Sequence, residues 1–246
     1  MSSQGSDITS RPRNNLLRHI SEHDYALIAP HLEMGFLDAN EVLYNPGDDV
    51  ETAYFPCEGG VACFVLVIED GREVQVVLIG REGAVGGIVS QGRLPAFSRI
   101  IVRFGGPFAR LSIARLQAAK GKSGTLANVF ARYADCLLAQ TLQAGACNAV
   151  HSIEQRAAKW ILATMERTER GGITLSHEQL ATMLGVGRSY ASRVIKDFKA
   201  QGILETKRLE LQVLDRAALY QKSCNCDEAV KSHFADVLRG LYPAPA

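Results

Sequence analysis

Arg188, Ser189, Ser192, Arg193 and Lys196 fall within nine residues, in a pattern suited to hydrogen-bonding along an extended polar surface. Projected on a helix at about 100° per residue they share one side roughly 140° wide, with Tyr190 at its margin. Ala191, Val194, Ile195 and Phe198 fall within roughly 100° on the other side, the width of a buried stripe. Arginine can bond the major-groove edge of guanine through two parallel N–H donors, and a helix with small polar neighbours can reach that edge. A solvated surface helix would show the same two faces, so the flanking residues must decide.

Those flanks complete a pattern. Leu175 to Leu184 reads as a first short helix, with Leu180, Ala181 and Leu184 as its apolar face. Ser176 and Gln179 have the spacing of a capping box. Gly185 supplies the left-handed backbone of a tight turn, and Gly187 stands where the second helix would start. Downstream, E-T-K-R-L-E-L-Q-V-L-D predicts a two-stranded wing with Lys207 and Arg208 near its tip, suited to phosphates that position without reading sequence. Net charge is only +1, but residues 1–150 carry 13 basic against 15 acidic groups and residues 151–246 carry 14 against 11. The positive charge is local, as a modest nucleic-acid footprint requires.

Other chemistry has little support. There is no P-loop, G-x-G-x-x-G, H-E-x-x-H or G-x-S-x-G, so no enzyme is expected and no catalytic residue is assigned. The six cysteines are scattered at 57, 63, 136, 147, 224 and 226, without a C-x-x-C pair or four ligands at zinc or iron–sulfur spacing. Cys224-Asn-Cys226 reads as a surface accident or a pair of reducible thiols. The expectation is no metal, and His19, His23 and His31 read as surface histidines rather than haem ligands. No apolar run approaches the roughly 20 residues of a membrane span, and the first 15 residues lack a secretion signal, so a cytoplasmic location is expected.

The elements that must position the basic helix divide the chain. Residues 1–15 predict a disordered lead and 16–121 a sensor domain. A dimerisation helix is expected over 122–150 and the DNA-binding domain over 151–246. From Val42 to Leu111, short β-rich runs alternate with glycine turns, and Asp70-Gly71 marks a hairpin. Leu126, Phe130, Tyr133, Leu137, Thr141 and Ala144 recur at helical spacing, with Ala134, Leu138, Leu142 and Gly145 as a stripe beside them. Two stripes require cover on two sides: the sheet and, most simply, a second copy of the helix. Ser152 and Gln155 predict a capped helix after the joint at His151. Ala217 to Leu241 reads as weakly helical. The fold class is therefore α+β: an antiparallel β-roll, a long helix and a winged helix-turn-helix.

Pro46-Gly47-Asp48, Tyr54-Phe55, Gly59-Gly60 and E-D-G-R-E, followed by the helix-turn-helix, resemble the cyclic-AMP receptor protein/Fnr (Crp/Fnr) family of bacterial transcription regulators. The resemblance runs from about Leu16 onwards. It implies a homodimer bound to a near-palindromic duplex, with Leu126, Phe130, Tyr133, Leu137 and Thr141 on the dimer helix and RNA polymerase as a further partner. It places an effector pocket at Glu82, Gly83, Gly86, Gly87, Ser98 and Arg99. The ribose-binding glutamate of cyclic-AMP binders falls near Gly87, however, and their Arg-Ser step is reversed as Ser98-Arg99. Cyclic AMP is not expected, the cofactor is unknown, and an Fnr-type iron–sulfur cluster lacks its clustered N-terminal cysteines. The family's outer-face glutamate is Ser189 here, which implies a different target sequence. A ligand-binding or protein-interaction module that has lost DNA binding remains the alternative.

Overall fold

A computed structural model describes residues 11–90, 92–170, 172–207 and 210–240. Order begins earlier than the sequence suggests. Arg11 donates to the carbonyls of Arg18 and Ile20. Buried Asn14 caps α1 (Asn15–His19) through its side-chain oxygen and donates to the carbonyls of Pro56 and Gly83. An amide that satisfies both its donor and acceptor groups ties its segment to the fold. The expected disordered lead is thus wrong for residues 11–15, and its first ten residues lie outside those described.

After α2 (Glu22–Ile28) come β1 (Glu33–Leu37), β2 (Val42–Tyr44), β3 (Thr52–Pro56), β4 (Val61–Val67), β5 (Glu73–Ile79), β6 (Arg99–Phe104) and β7 (Gly106–Ser112). They form two antiparallel sheets in the orders β1-β7-β3 and β2-β6-β4-β5. The Asp70-Gly71 turn joins β4 to β5 as expected, with Val67 opposite Glu73. β4 reads V-A-C-F-V-L-V without the polar alternation of a one-sided strand, which is the signature of a sheet covered on both faces. Ala62, Val77, Ile79, Ile100 and Val102 point into the roll. Val61, Cys63, Val65, Leu78 and Ile101 share a different core with the C-terminal domain.

α3 (Ile113–Lys122) leads to α4 (Gly124–Val150), 27 residues long, with Ser123 capping it. α5 (Ile153–Thr168) follows the joint at His151, and Ser152 and Gln155 form the predicted capping box. β8 (Gly172–Thr174), α6 (His177–Leu184), α7 (Arg188–Ala200), β9 (Leu204–Lys207) and β10 (Glu210–Val213) build the winged head, its strands ordered β8-β10-β9. α8 (Arg216–Lys222) and α9 (Cys226–Val237) end the described chain, and the segment read as weakly helical is firmly packed. Val230, Phe234 and Leu238 are buried with Phe55, Phe130 and Tyr133.

That packing corrects the dimer assignment. Leu126, Phe130 and Tyr133 are fully buried within this one subunit and cannot face a partner. Leu137 is half-buried and Thr141 bonds back to the carbonyl of Leu137. The unpartnered apolar line on α4 is the second stripe, where Leu138 and Leu142 stand 59% and 66% exposed beside Gly145. α9 supplies the cover that the sequence reading assigned to a second copy of the chain.

Candidate nucleic-acid interface and associated sites

The helix-turn-helix forms for local reasons. Ser176 Oγ accepts from the N–H of Gln179 at 3.1 Å, while Gln179 Oε1 accepts from the N–H of Ser176 at 2.8 Å. Gly185 has φ +66°, a conformation costly for any residue with a Cβ, and its N–H closes α6. α7 then starts at Gly187. Its inner face is the predicted one: Ala191, Val194, Ile195 and Phe198 are buried against α5, α6 and the wing.

The outer face carries Arg188, Ser189, Arg193 and Lys196, all exposed. Among the described residues, none of these three cations has an acidic partner. Arg193 instead lies over the Tyr190 ring at 4.6 Å, which holds its guanidinium in place without neutralising it. Tyr190 is half-buried and its hydroxyl lies 3.4 Å from Glu154 Oε1. Ser192 Oγ sits 2.9 Å from His177 Nδ1, so its hydroxyl is shared with the start of α6. Lys207 is exposed on β9, and Lys199 extends the basic face towards the wing by reaching Thr206. Arg208 lies outside the described residues. Sequence reasoning counted Lys199 as charge but gave His177 no role.

The residues expected to form the effector pocket make the following contacts. Glu82 accepts from Arg167 Nε at 2.7 Å, in a pair whose side chains are only 19% and 10% exposed. Gly83 is a contact glycine: Tyr133 hydroxyl bonds both the carbonyl and the N–H of Ala84, and a Cβ on Gly83 would lie 2.0 Å from it. Gly86 packs on the Thr52 carbonyl and Gly87 on Leu94. Ser98 is buried, and Arg99 is ion-paired to Glu73 across the sheet. Ion pairs hold Glu82 and Arg99, and the three glycines pack closely on their neighbours. A cleft of about 390 Å³ lies beside His31, Tyr54, Arg110 and Arg115.

Arg167 joins three parts of the fold, because Asp227 of α9 lies 3.8 Å from its other side and pairs with Lys231 at 2.8 Å. Burial pushes the Asp227 carboxyl up, but Arg167 and Lys231 together outweigh it and hold the group below its ordinary value.

Cys224 and Cys226 are not on the surface. Both are buried, as is Cys147 on the last turn of α4. Cys147 Sγ lies 3.6 Å from Cys224 Sγ, and Cys226 Sγ lies 3.5 Å from His151 Nδ1. All four ligand atoms fall within 4.8 Å of one another. Burial, with the adjacent Cys147 and Cys226 adding to it, pushes the Cys224 thiol up to about 12. The sequence reading missed this constellation because 73 residues separate His151 from Cys224, and only the docking of α9 brings them together.

A two-sheet roll, a long helix and a winged head with an exposed cationic helix follow one another along the chain. Residues 155–222 match the Crp-like helix-turn-helix domain family. No curated protein matches the chain in sequence. Among solved structures, FixK2 from Bradyrhizobium japonicum is similar, with a TM-score of 0.67, 16% identity and coverage of 78% of this chain and 98% of that one. The c-di-GMP-responsive global regulator CLP of Xanthomonas campestris has a TM-score of 0.65 and 18% identity, covering 79% of this chain and all (100%) of that one. A CooA mutant from Carboxydothermus hydrogenoformans has a TM-score of 0.57 and 17% identity, covering 82% and 91%. The chain shares its fold with these structures, and the family match falls on its winged head. No helix among the described residues is long and apolar enough to cross a membrane.

Proposed function

We propose that this chain is a homodimeric, sequence-specific DNA-binding transcription regulator. The observation that carries the reading is α7, with its apolar side locked into the head and its Arg188–Arg193–Lys196 side exposed and, among the described residues, without acidic partners. Arg188 and Arg193 reach base edges. Ser189, Tyr190 and Ser192 make secondary contacts, and Lys196, Lys207 and Arg208 bind phosphate. The exposed Leu138–Leu142 stripe supports pairing of two α4 helices, which sets two reading heads about 34 Å apart on a near-palindrome. Cyclic AMP is not the signal in this reading, which the ion pairs that hold Glu82 and Arg99 support. A different signal acts through the β-roll, the cytoplasm is the site of action, and RNA polymerase is the partner at promoters.

Selection of bound duplexes from a random pool tests the reading directly. It predicts enrichment of a two-fold-symmetric site with half-sites one helical turn apart. Recovery of unenriched DNA at low salt, lost on raising the salt, would leave only phosphate attraction and end the proposal.

A further inference from the structure

From the geometry we infer that Cys147, His151, Cys224 and Cys226 form a mononuclear site for a tetrahedral, thiolate-binding divalent cation with the chemistry of zinc. Three sulfurs and one imidazole nitrogen converge from two segments: the last turn of α4 with its joint, and the link between α8 and α9. Cys147 and His151 are four residues apart, so they rise on one side of the helix end. Cys224 and Cys226 flank Asn225 at the start of α9.

The spacing selects the kind of centre. Four ligands at about 2.3 Å (sulfur) and about 2.0 Å (nitrogen) from a tetrahedral zinc lie roughly 3.5–3.8 Å from one another. The Cys147–Cys224 distance is 3.6 Å and the Cys226–His151 distance is 3.5 Å. With every ligand atom within 4.8 Å of the others, the remaining edges close by side-chain adjustment of about 1 Å or less. An iron–sulfur cluster must hold its cysteines apart around several irons, and this nest is too tight for one.

The surroundings also suit a charged centre. Three thiolates and a neutral imidazole around a divalent ion leave one negative charge, and Lys159 Nζ lies 3.3 Å from Cys147 Sγ to meet it. Gln143 donates to Cys226 Sγ at 3.2 Å, the kind of outer hydrogen bond that orients a metal-bound sulfur. Borderline-soft ions that accept thiolate and imidazole in tetrahedral geometry, zinc first among them, are the ones this donor set favours. An ion here would staple the start of α9 to the joint between α4 and α5, a cross-link between segments more than 70 residues apart. One turn further along α5, Arg156 donates to the carbonyl of Leu184 at 2.6 Å, so the stapled joint also abuts the turn before the basic helix.

The test uses the full chain, purified under reducing conditions and stripped with a chelator, then titrated with Co2+ and afterwards with Zn2+. One equivalent of Co2+ should produce sulfur-to-metal charge-transfer absorption and the intense visible bands of a tetrahedral ion, and one equivalent of Zn2+ should abolish them. Cys224→Ser and Cys226→Ser should each weaken Zn2+ binding at least 100-fold and lose charge-transfer intensity. Cys57→Ala, remote from the nest, should retain the wild-type titration and guards against a general effect of removing a cysteine. Circular dichroism of each stripped variant separates lost ligation from lost folding, and the wild-type titration stands without any variant. Absence of the cobalt spectrum in folded wild-type protein would overturn the inference. So would a Cys147–Cys224 disulfide under those conditions, or the broad absorption of an iron–sulfur chromophore after aerobic or anaerobic purification.

Discussion

Arg167→Met removes the cation that Glu82 and Asp227 share, at the meeting of the β-roll, α5 and α9. Breaking a buried pair by deleting one partner leaves the other charge uncompensated and costs about 3–5 kcal/mol. The carboxylates here keep 19% and 20% of their side-chain surface, so the lower end, about 3 kcal/mol, is the expected loss. For a urea dependence of about 3 kcal/mol per M, that moves the unfolding midpoint down by about 1 M. The single tryptophan, Trp160, lies in α5 and borders the same cavity as Arg167, so its fluorescence follows the event directly. Glu82→Gln alone and combined with Arg167→Met completes a cycle whose coupling should exceed 1 kcal/mol. The pH adds a sign. Asp227 is held below its ordinary value, so its contribution is present at neutral pH and is lost as the pH falls through its folded pKa. The variant's deficit should therefore shrink on acidification below pH 4. A midpoint shift under about 0.3 M, or additive effects of the two substitutions, would refute the role given to Arg167.

Arg193→Ala should weaken binding to the selected duplex by roughly 1–3 kcal/mol and relax preference at one base pair; an equal loss on all sequences would make it a phosphate contact. Leu142→Glu should yield monomers in analytical ultracentrifugation, whereas Phe130→Glu should impair folding itself, because Phe130 is 1% exposed inside one subunit. Gly83→Ala should destabilise by at least about 1–3 kcal/mol, measured as a lower unfolding midpoint, since its Cβ would meet the buried Tyr133 hydroxyl. Calorimetric titration with cyclic AMP should release no heat of specific binding, and micromolar affinity would contradict the internal pairing of Glu82 and Arg99.

The head was legible in the sequence because its logic is local. A capping box at Ser176, a left-handed glycine at 185 and a two-faced helix from Arg188 are each fixed by residues within four positions. The hairpin at Asp70-Gly71 and the cap at Ser152 were readable for the same reason. What failed was non-local. Helical spacing reveals that α4 has two apolar stripes but not which neighbour covers each, and α9 took the place assigned to a second subunit. β1 was missed because Glu33–Leu37 is exposed along most of its length and lacks a β-rich pattern. The pocket residues were placed by position in a familiar order, yet a glycine holding off Tyr133 and a glycine meeting an anion look identical in a sequence. The thiol nest was invisible because its ligands pair across the whole C-terminal domain.

The shared core between roll and head limits how the signal of the proposed regulator could move α7. Val61, Cys63, Val65 and Leu78 of the sheet are 1% exposed or less, and all lie in the cluster that holds Ile173, Leu180 and Val194. Lifting the head off would return those side chains to water, at about 1.5–3 kcal/mol for each one fully exposed. Four such side chains come to roughly 6 kcal/mol or more, against the ~5.5 kcal/mol of differential affinity that carries an equilibrium from 1:99 to 99:1. Detachment would therefore add a cost at least as large as the whole differential affinity of such a shift. A small rotation about the His151–Ser152 joint, with the sheet still covered, asks far less and still redirects α7, which in the proposed dimer would have to match the spacing of two grooves. The residues that would resist such a rotation are Arg167, tied to Glu82 and Asp227, and Arg156, tied to the Leu184 carbonyl. Coupling between roll and head should accordingly be altered most by substitutions at those two arginines, neither of which lies on the exposed face of α7.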